Sequence, residues 1–286
     1  NISTNTTFTS GTINLTNTLT VNATKTLTLG ESCTLNVSAA GTINNIQGNI
    51  ASNTQGTIVN NNIINNAGTI TNADATHSGL ITNLGTITST STNPKGIIND
   101  NAGAAPYGTI VNGGTLTNAD ATLGGTVKAA GSNVIFSGSG ADITNLTIDR
   151  PVDSLTISKT VTTLTVNANT TVSSGSTLII KASGTATIAS GVTLINNGTL
   201  TNNAIITNNG TLTHNNNTQI GTTVKSGSGN VTFNGTSTTG ISSLEIADSA
   251  NSVTIDLPVA GIAASNPVCT VTNFTLGANG FIGGNA

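Results

Sequence analysis

Charge is what this sequence has least of: only 6% of its 286 residues are Asp, Glu, Lys or Arg, where an ordinary soluble domain carries about 25%. Aromatic residues make up 2%, Tyr107 is the only tyrosine, and Met and Trp are absent. Each shortage excludes something. Seven Lys and Arg, scattered singly, make no basic patch for phosphates, so nucleic acid is not an expected partner. No apolar run reaches the roughly 20 residues of a membrane-spanning helix. The lack of Met implies a chain that begins after a removed leader, or a fragment. Disorder needs low hydrophobicity with high net charge; here 35% of residues are hydrophobic and the net charge is −3.

What fills the chain instead is Thr, Asn, Ser and Gly with Ile, Leu, Val and Ala, a strand-forming mixture. Segments such as Thr18-Leu19-Thr20-Val21 and Thr163-Leu164-Thr165-Val166 alternate Thr with an aliphatic residue, which places hydroxyls on one face and aliphatics on the other. A Gly-Thr-Ile or Gly-Thr-Leu unit recurs, for example at Gly56, Gly68, Gly85, Gly114, Gly198 and Gly210. Its spacing gives one strand plus one turn, and two such faces predict a rung of roughly 23 residues stacked on the next. Longer copies agree. Thr126-Val127-Lys128 returns as Thr223-Val224-Lys225, and Asn133-Val134-Ile135-Phe136 returns as Asn230-Val231-Thr232-Phe233, an internal duplication of about 97 residues relating 114–160 to 210–257. No compositional break divides the chain. The expected architecture is all-β: a single right-handed parallel β-helix, or β-solenoid, of roughly 12 rungs over residues 1–286, without helices of consequence. The pairs Asn65-Asn66, Asn196-Asn197, Asn202-Asn203 and Asn208-Asn209, and the run Asn215 to Asn217, are expected at turns, where Asn tolerates left-handed backbone and stacks into amide ladders.

Segments such as Gly229 to Gly235, Ile241 to Ile246, Leu164 to Asn167 and Gly175 to Leu178 resemble the β-solenoid repeats of large secreted bacterial surface proteins. That resemblance spans nearly the whole chain and implies an adhesin, a surface filament or the stalk of an exported protein. It transfers no catalytic residue and no cofactor.

The chemistry-bearing residues are sparse. Among the acidic groups only Asp142, Asp149 and Asp153, with Arg150 between them, lie near one another, as a cation-binding or ion-paired loop or a solvated interruption beside Pro151. His77 and His214 stand alone in Thr- and Asn-rich contexts and are expected on exposed loops, since a metal needs several ligands. With no base beside the many hydroxyls and no clustered carboxylates, no catalytic, cofactor or metal site is expected, and the protein is read as non-enzymatic. Cys33 and Cys269 sit far apart on a straight rod of stacked rungs about 4.8 Å apart, whereas bridged Cα atoms lie about 5.5–6 Å apart. They therefore either join successive subunits or serve as small apolar core residues. Asp153-Ser154-Leu155 and Asp248-Ser249-Ala250 resemble a short O-glycosylation motif, which makes Ser154 and Ser249 candidate sugar sites.

Two uncapped, strand-like ends lead to the main functional expectation: a secreted structural subunit that assembles with itself, head to tail, into an extracellular filament. The shaft or binding region of a cell-surface adhesin is the alternative, with cell-surface or matrix polysaccharide as a partner. Ice binding through stacked Thr-x-Thr triplets is a further one. The irregular intervals between those triplets along the chain argue against a single continuous Thr array.

Overall fold

Alternating Thr and aliphatic residues become short parallel strands in a computed structural model of the chain. It describes residues 2–20, 26–37, 42–44, 56–66, 69–72, 79–89, 97–99, 109–118, 122–137, 142–227, 229–246, 250–264, 271–278 and 280–282. All regular structure among these residues is strand, and no helix is long and apolar enough to cross a membrane. The chain divides into two compact units, Asn1–Leu146 and Thr147–Ala286.

In the first unit each turn runs along three sides and each side pairs in parallel with the same side of the next turn. Leu27, Ile58, Ile81, Ile110 and Val127 form one inward ladder. Leu35, Ile64, Ile87, Leu116 and Phe136 form the second. Leu19, Ile43, Ile70 and Ile97 lie in register on the third. The second unit repeats the plan. Leu164, Ala186, Ile206, Val224, Leu244 and Ile262 run along one side, and Leu194, Leu212, Phe233, Ile255 and Leu276 along another. On the third side Ile220, Ile241 and Val259 follow one another. The fold is therefore a parallel β-solenoid in each unit. The two copies of the duplication fold alike: Phe136 sits opposite Leu116, and Phe233 opposite Leu212, both rings fully buried.

A hexad recurs in parts of both units. Inward positions in the first unit pair an aliphatic with an Asn, Ile58 with Asn60, Ile64 with Asn66, Ile70 with Asn72, each pair six residues after the last. In the second unit Leu194 and Asn196, Leu200 and Asn202, Ile206 and Asn208, and Leu212 and His214 do the same. Three hexads close a turn of 18 residues, the separation of Asn196 and His214. Other turns are longer, up to the 31 residues between Leu27 and Ile58. The expectation of roughly 12 rungs of about 23 residues is corrected accordingly: turns differ in length, and added residues fall both between strands and at register shifts within them, as between Val161 and Thr163.

Candidate functional site

Three features of this coil hold chemistry: its interior corners, its outer face, and its uncovered end.

At the corners, buried Asn side chains do the work of turns. Asn60 Nδ2 donates to Asn83 Oδ1 at 2.7 Å, and Asn83 Nδ2 to Asn112 Oδ1 at 2.7 Å, all three residues being wholly buried. The same amides also reach a carbonyl of a following turn: Asn60 to Thr86 O at 3.0 Å, Asn83 to Thr115 O at 2.9 Å and Asn112 to Ile135 O at 3.1 Å. In the second unit, Asn202 Oδ1 accepts from Ala204 N at 3.1 Å while its Nδ2 donates to Thr223 O at 3.1 Å. Asn208 does likewise with Gly210 N and Thr232 O. A bend leaves backbone groups without ladder partners, and a buried amide without partners is costly; each Asn removes both problems at once. Of the residues expected to stack, Asn202 and Asn208 bond to backbone instead, and the interior amide stack is that of Asn60, Asn83 and Asn112. An outer ladder exists as well, Asn36 Nδ2 to Asn14 Oδ1 at 2.8 Å and Asn65 Nδ2 to Asn36 Oδ1 at 3.0 Å.

His214 corrects an expectation. It is not on an exposed loop but fully buried, in the inward place that Asn196 holds one turn earlier. Its Nε2 lies 2.7 Å from Thr218 O, so that nitrogen carries the proton, and Nδ1 accepts from Asn196 Nδ2 at 3.0 Å. Burial lowers its pKa below the ordinary value of 6.5, with the bond to Thr218 opposing. His77 lies outside the described residues. Only position within the hexad could have identified His214, since it fills the place otherwise held by Asn.

The remaining candidates are dispersed. Asp142 is half-buried in the strand Asp142–Ile148 of the first unit. Asp149, Arg150 and Asp153 are exposed in the second, where Asn167 Nδ2 donates to Asp149 Oδ1 at 3.3 Å. Among the described residues no group of three or more His, Cys, Asp or Glu is placed to hold a metal ion. The backbone of Cys33 lies in the strand Thr26–Val37 opposite Gly11, whereas Cys269 lies outside the described residues, as does Ser249. Ser154 is half-buried, its hydroxyl 2.8 Å from that of Ser173.

At the last described turn of the second unit the core is uncovered. Ile262, Phe274 and Leu276 are 36%, 48% and 48% exposed. Their register partners one turn earlier, Leu244, Val253 and Ile255, are each 0% exposed. The same inward positions therefore change from sealed to open within one turn. In the first unit Phe8, Ile13 and Leu15, on the strand Thr6–Leu15, are half-buried while their neighbour Leu35 is 1% exposed.

Compared with protein-family descriptions, curated proteins and solved structures, the chain matches none of them.

Proposed function

We propose that the chain is a non-catalytic structural subunit of an extracellular filament, assembling head to tail through the ends of its coils. The observation that carries this reading is the exposure of Ile262, Phe274 and Leu276 at positions that the fold otherwise seals. Apolar surface exposed in this way is stabilised when a further turn covers it, at roughly 25 cal/mol per Å² of apolar surface covered. The first turn of a second copy, where Phe8, Ile13 and Leu15 are half-buried, supplies such a surface. The contact is heterologous and does not close, so repetition makes a fibre. In this reading Cys33 and Cys269 either link neighbours covalently or serve as small core residues, and the extracellular setting rests on the resemblance to secreted surface proteins.

Electron microscopy of the full chain across a concentration series tests the proposal, alongside Leu276→Asp and Phe274→Asp. Filaments formed by the parent chain and lost in both variants are expected, with shortening under reductant if the cysteines bridge subunits. Discrete rods of unchanging length at every concentration would overturn it and favour an adhesin shaft.

A further inference from the structure

The Thr residues of the second unit are irregular in sequence but regular in space. Thr193, Thr211, Thr232, Thr254 and Thr275 are successive register partners on the outer face of five consecutive turns. Parallel strands lie about 4.8 Å apart, so the five hydroxyls form an evenly spaced row along the coil. The β-branched side chain is stiff about χ1, which fixes their direction. Unequal turn lengths conceal the row from anyone reading intervals along the chain; the second Thr of the Thr-x-Thr triplets does not stack beside it, since the neighbouring column reads Ile195, Thr213, Asn234 and Asp256.

The flanks of the row differ from the row itself. On one side Thr213 Oγ1 donates to Asn234 Oδ1, and on the other Ser252 Oγ donates to Asn230 Oδ1 at 3.0 Å. Among the described residues, none of the five Thr hydroxyls of the row is engaged by another protein group. The row therefore offers free donors and acceptors beside the Thr213–Asn234 and Ser252–Asn230 pairs, whose side chains bond each other. At its head lies an open groove of about 410 Å³, lined by Pro151, Asp153, Asn169, Thr171, Thr193 and Ile195. It combines an exposed carboxylate, an amide and hydroxyls with the aliphatic surfaces of Pro151 and Ile195.

We propose that this groove and the Thr row bind a neutral, extended polysaccharide chain lying along the coil axis. The row is one column wide, which suits a single linear polymer better than a two-dimensional ice plane. A neutral ligand fits a face with few charges, where Asp153 lines the groove, Asp149 and Arg150 flank it in sequence and Asp256 lies beside the row. The groove takes one sugar ring, with Asp153 accepting from its hydroxyls and Pro151 and Ile195 under its C–H face; the Thr hydroxyls exchange hydrogen bonds with later rings. The proposal is independent of filament assembly, because every residue involved lies within one unit of one chain.

Affinity electrophoresis of the full chain through gels containing hydroxyethylcellulose, laminarin or galactomannan tests it. Thr211→Val with Thr232→Val, and Asp153→Asn, serve as variants, their folding checked by circular dichroism. Retardation on at least one of these glycans is expected. The double Val variant, which keeps the branched shape and loses two hydroxyls, should bind about tenfold more weakly or worse. Absence of retardation on all three, or retardation that the folded variants leave unchanged, would overturn the proposal. Thermal hysteresis that disappears in the Val variant without glycan binding would also overturn it and assign the row to ice. Running the gels on the Leu276→Asp variant, which should not assemble, keeps the result separate from filament formation.

Discussion

Asn196 and His214 occupy successive places in one interior column, with the amide Nδ2 3.0 Å from the imidazole Nδ1. Protonating Nδ1 would set two donors against each other, and burial adds to the cost of the charge. The folded pKa lies below 6.5 and the unfolded one near it. Stability is thus complete above about pH 6.5 and falls as the pH drops through that value, since the unfolded chain takes up the proton first. The loss levels off below the folded pKa. Denaturant midpoints at pH 8, 7, 6 and 5 should show this decline, and His214→Asn, which restores the usual corner residue, should remove it. A flat profile in the parent chain would count against the assignment. Aside from this corner, so few titratable groups leave the fold largely indifferent to mildly acid or alkaline pH.

Asn83 both accepts from Asn60 and donates to Asn112 and Thr115. Asn83→Ala removes three hydrogen bonds made by a wholly buried amide and is expected to cost about 2–4 kcal/mol. Asn65→Ala, on the exposed outer ladder, should cost under about 1 kcal/mol. Chemical denaturation of the pair distinguishes an interior role from a superficial one; equal costs would refute it.

A methyl group at Gly114 would collide with the carbonyl oxygen of Gly85, the same oxygen that accepts from Thr115 N at 2.8 Å. Gly114→Ala is therefore expected to lose at least about 2 kcal/mol. Gly175 has open space around it and a φ of 80°, so Gly175→Ala should cost only the backbone penalty of about 1–2 kcal/mol. A thermal melt in which Gly114→Ala matched the parent would contradict the close stacking at that corner.

Thr222 holds a φ of 57°, the only non-glycine residue with positive φ among those described, while its hydroxyl donates to Asn202 O at 2.6 Å. Thr222→Ala keeps the strain and loses the bond; Thr222→Gly loses the bond and relieves the strain. The Gly variant should therefore be more stable than the Ala variant by about 1 kcal/mol. The reverse order in urea titrations would argue against a left-handed backbone there.

Much of this fold is legible in the sequence. The alternation in Thr163-Leu164-Thr165-Val166 places Leu164 and Val166 inward, and the matched segments around Phe136 and Phe233 do occupy equivalent strands. The three-sided turn is harder to read. In the hexad stretches a buried Asn follows the inward aliphatic, as at Asn60, Asn66, Asn72, Asn196, Asn202 and Asn208, and Asn in a sequence signals a bend at the surface, not a buried position. Asn60, Asn83 and Asn208 satisfy both descriptions, being at a bend and wholly buried. His214 is misread for the same reason. Unequal turn lengths hide the Thr row, whose members follow one another only after the strands are put in register.

Asn60 donates to Asn83 and Asn83 to Asn112, never the reverse. Amide dipoles arranged in this way add instead of cancelling, and each polarises the next. The interior amides of the first unit thus point one way along its axis, while the outer ladder from Asn65 through Asn36 to Asn14 points the other, so the coil wears two opposed polarities, one inside and one outside.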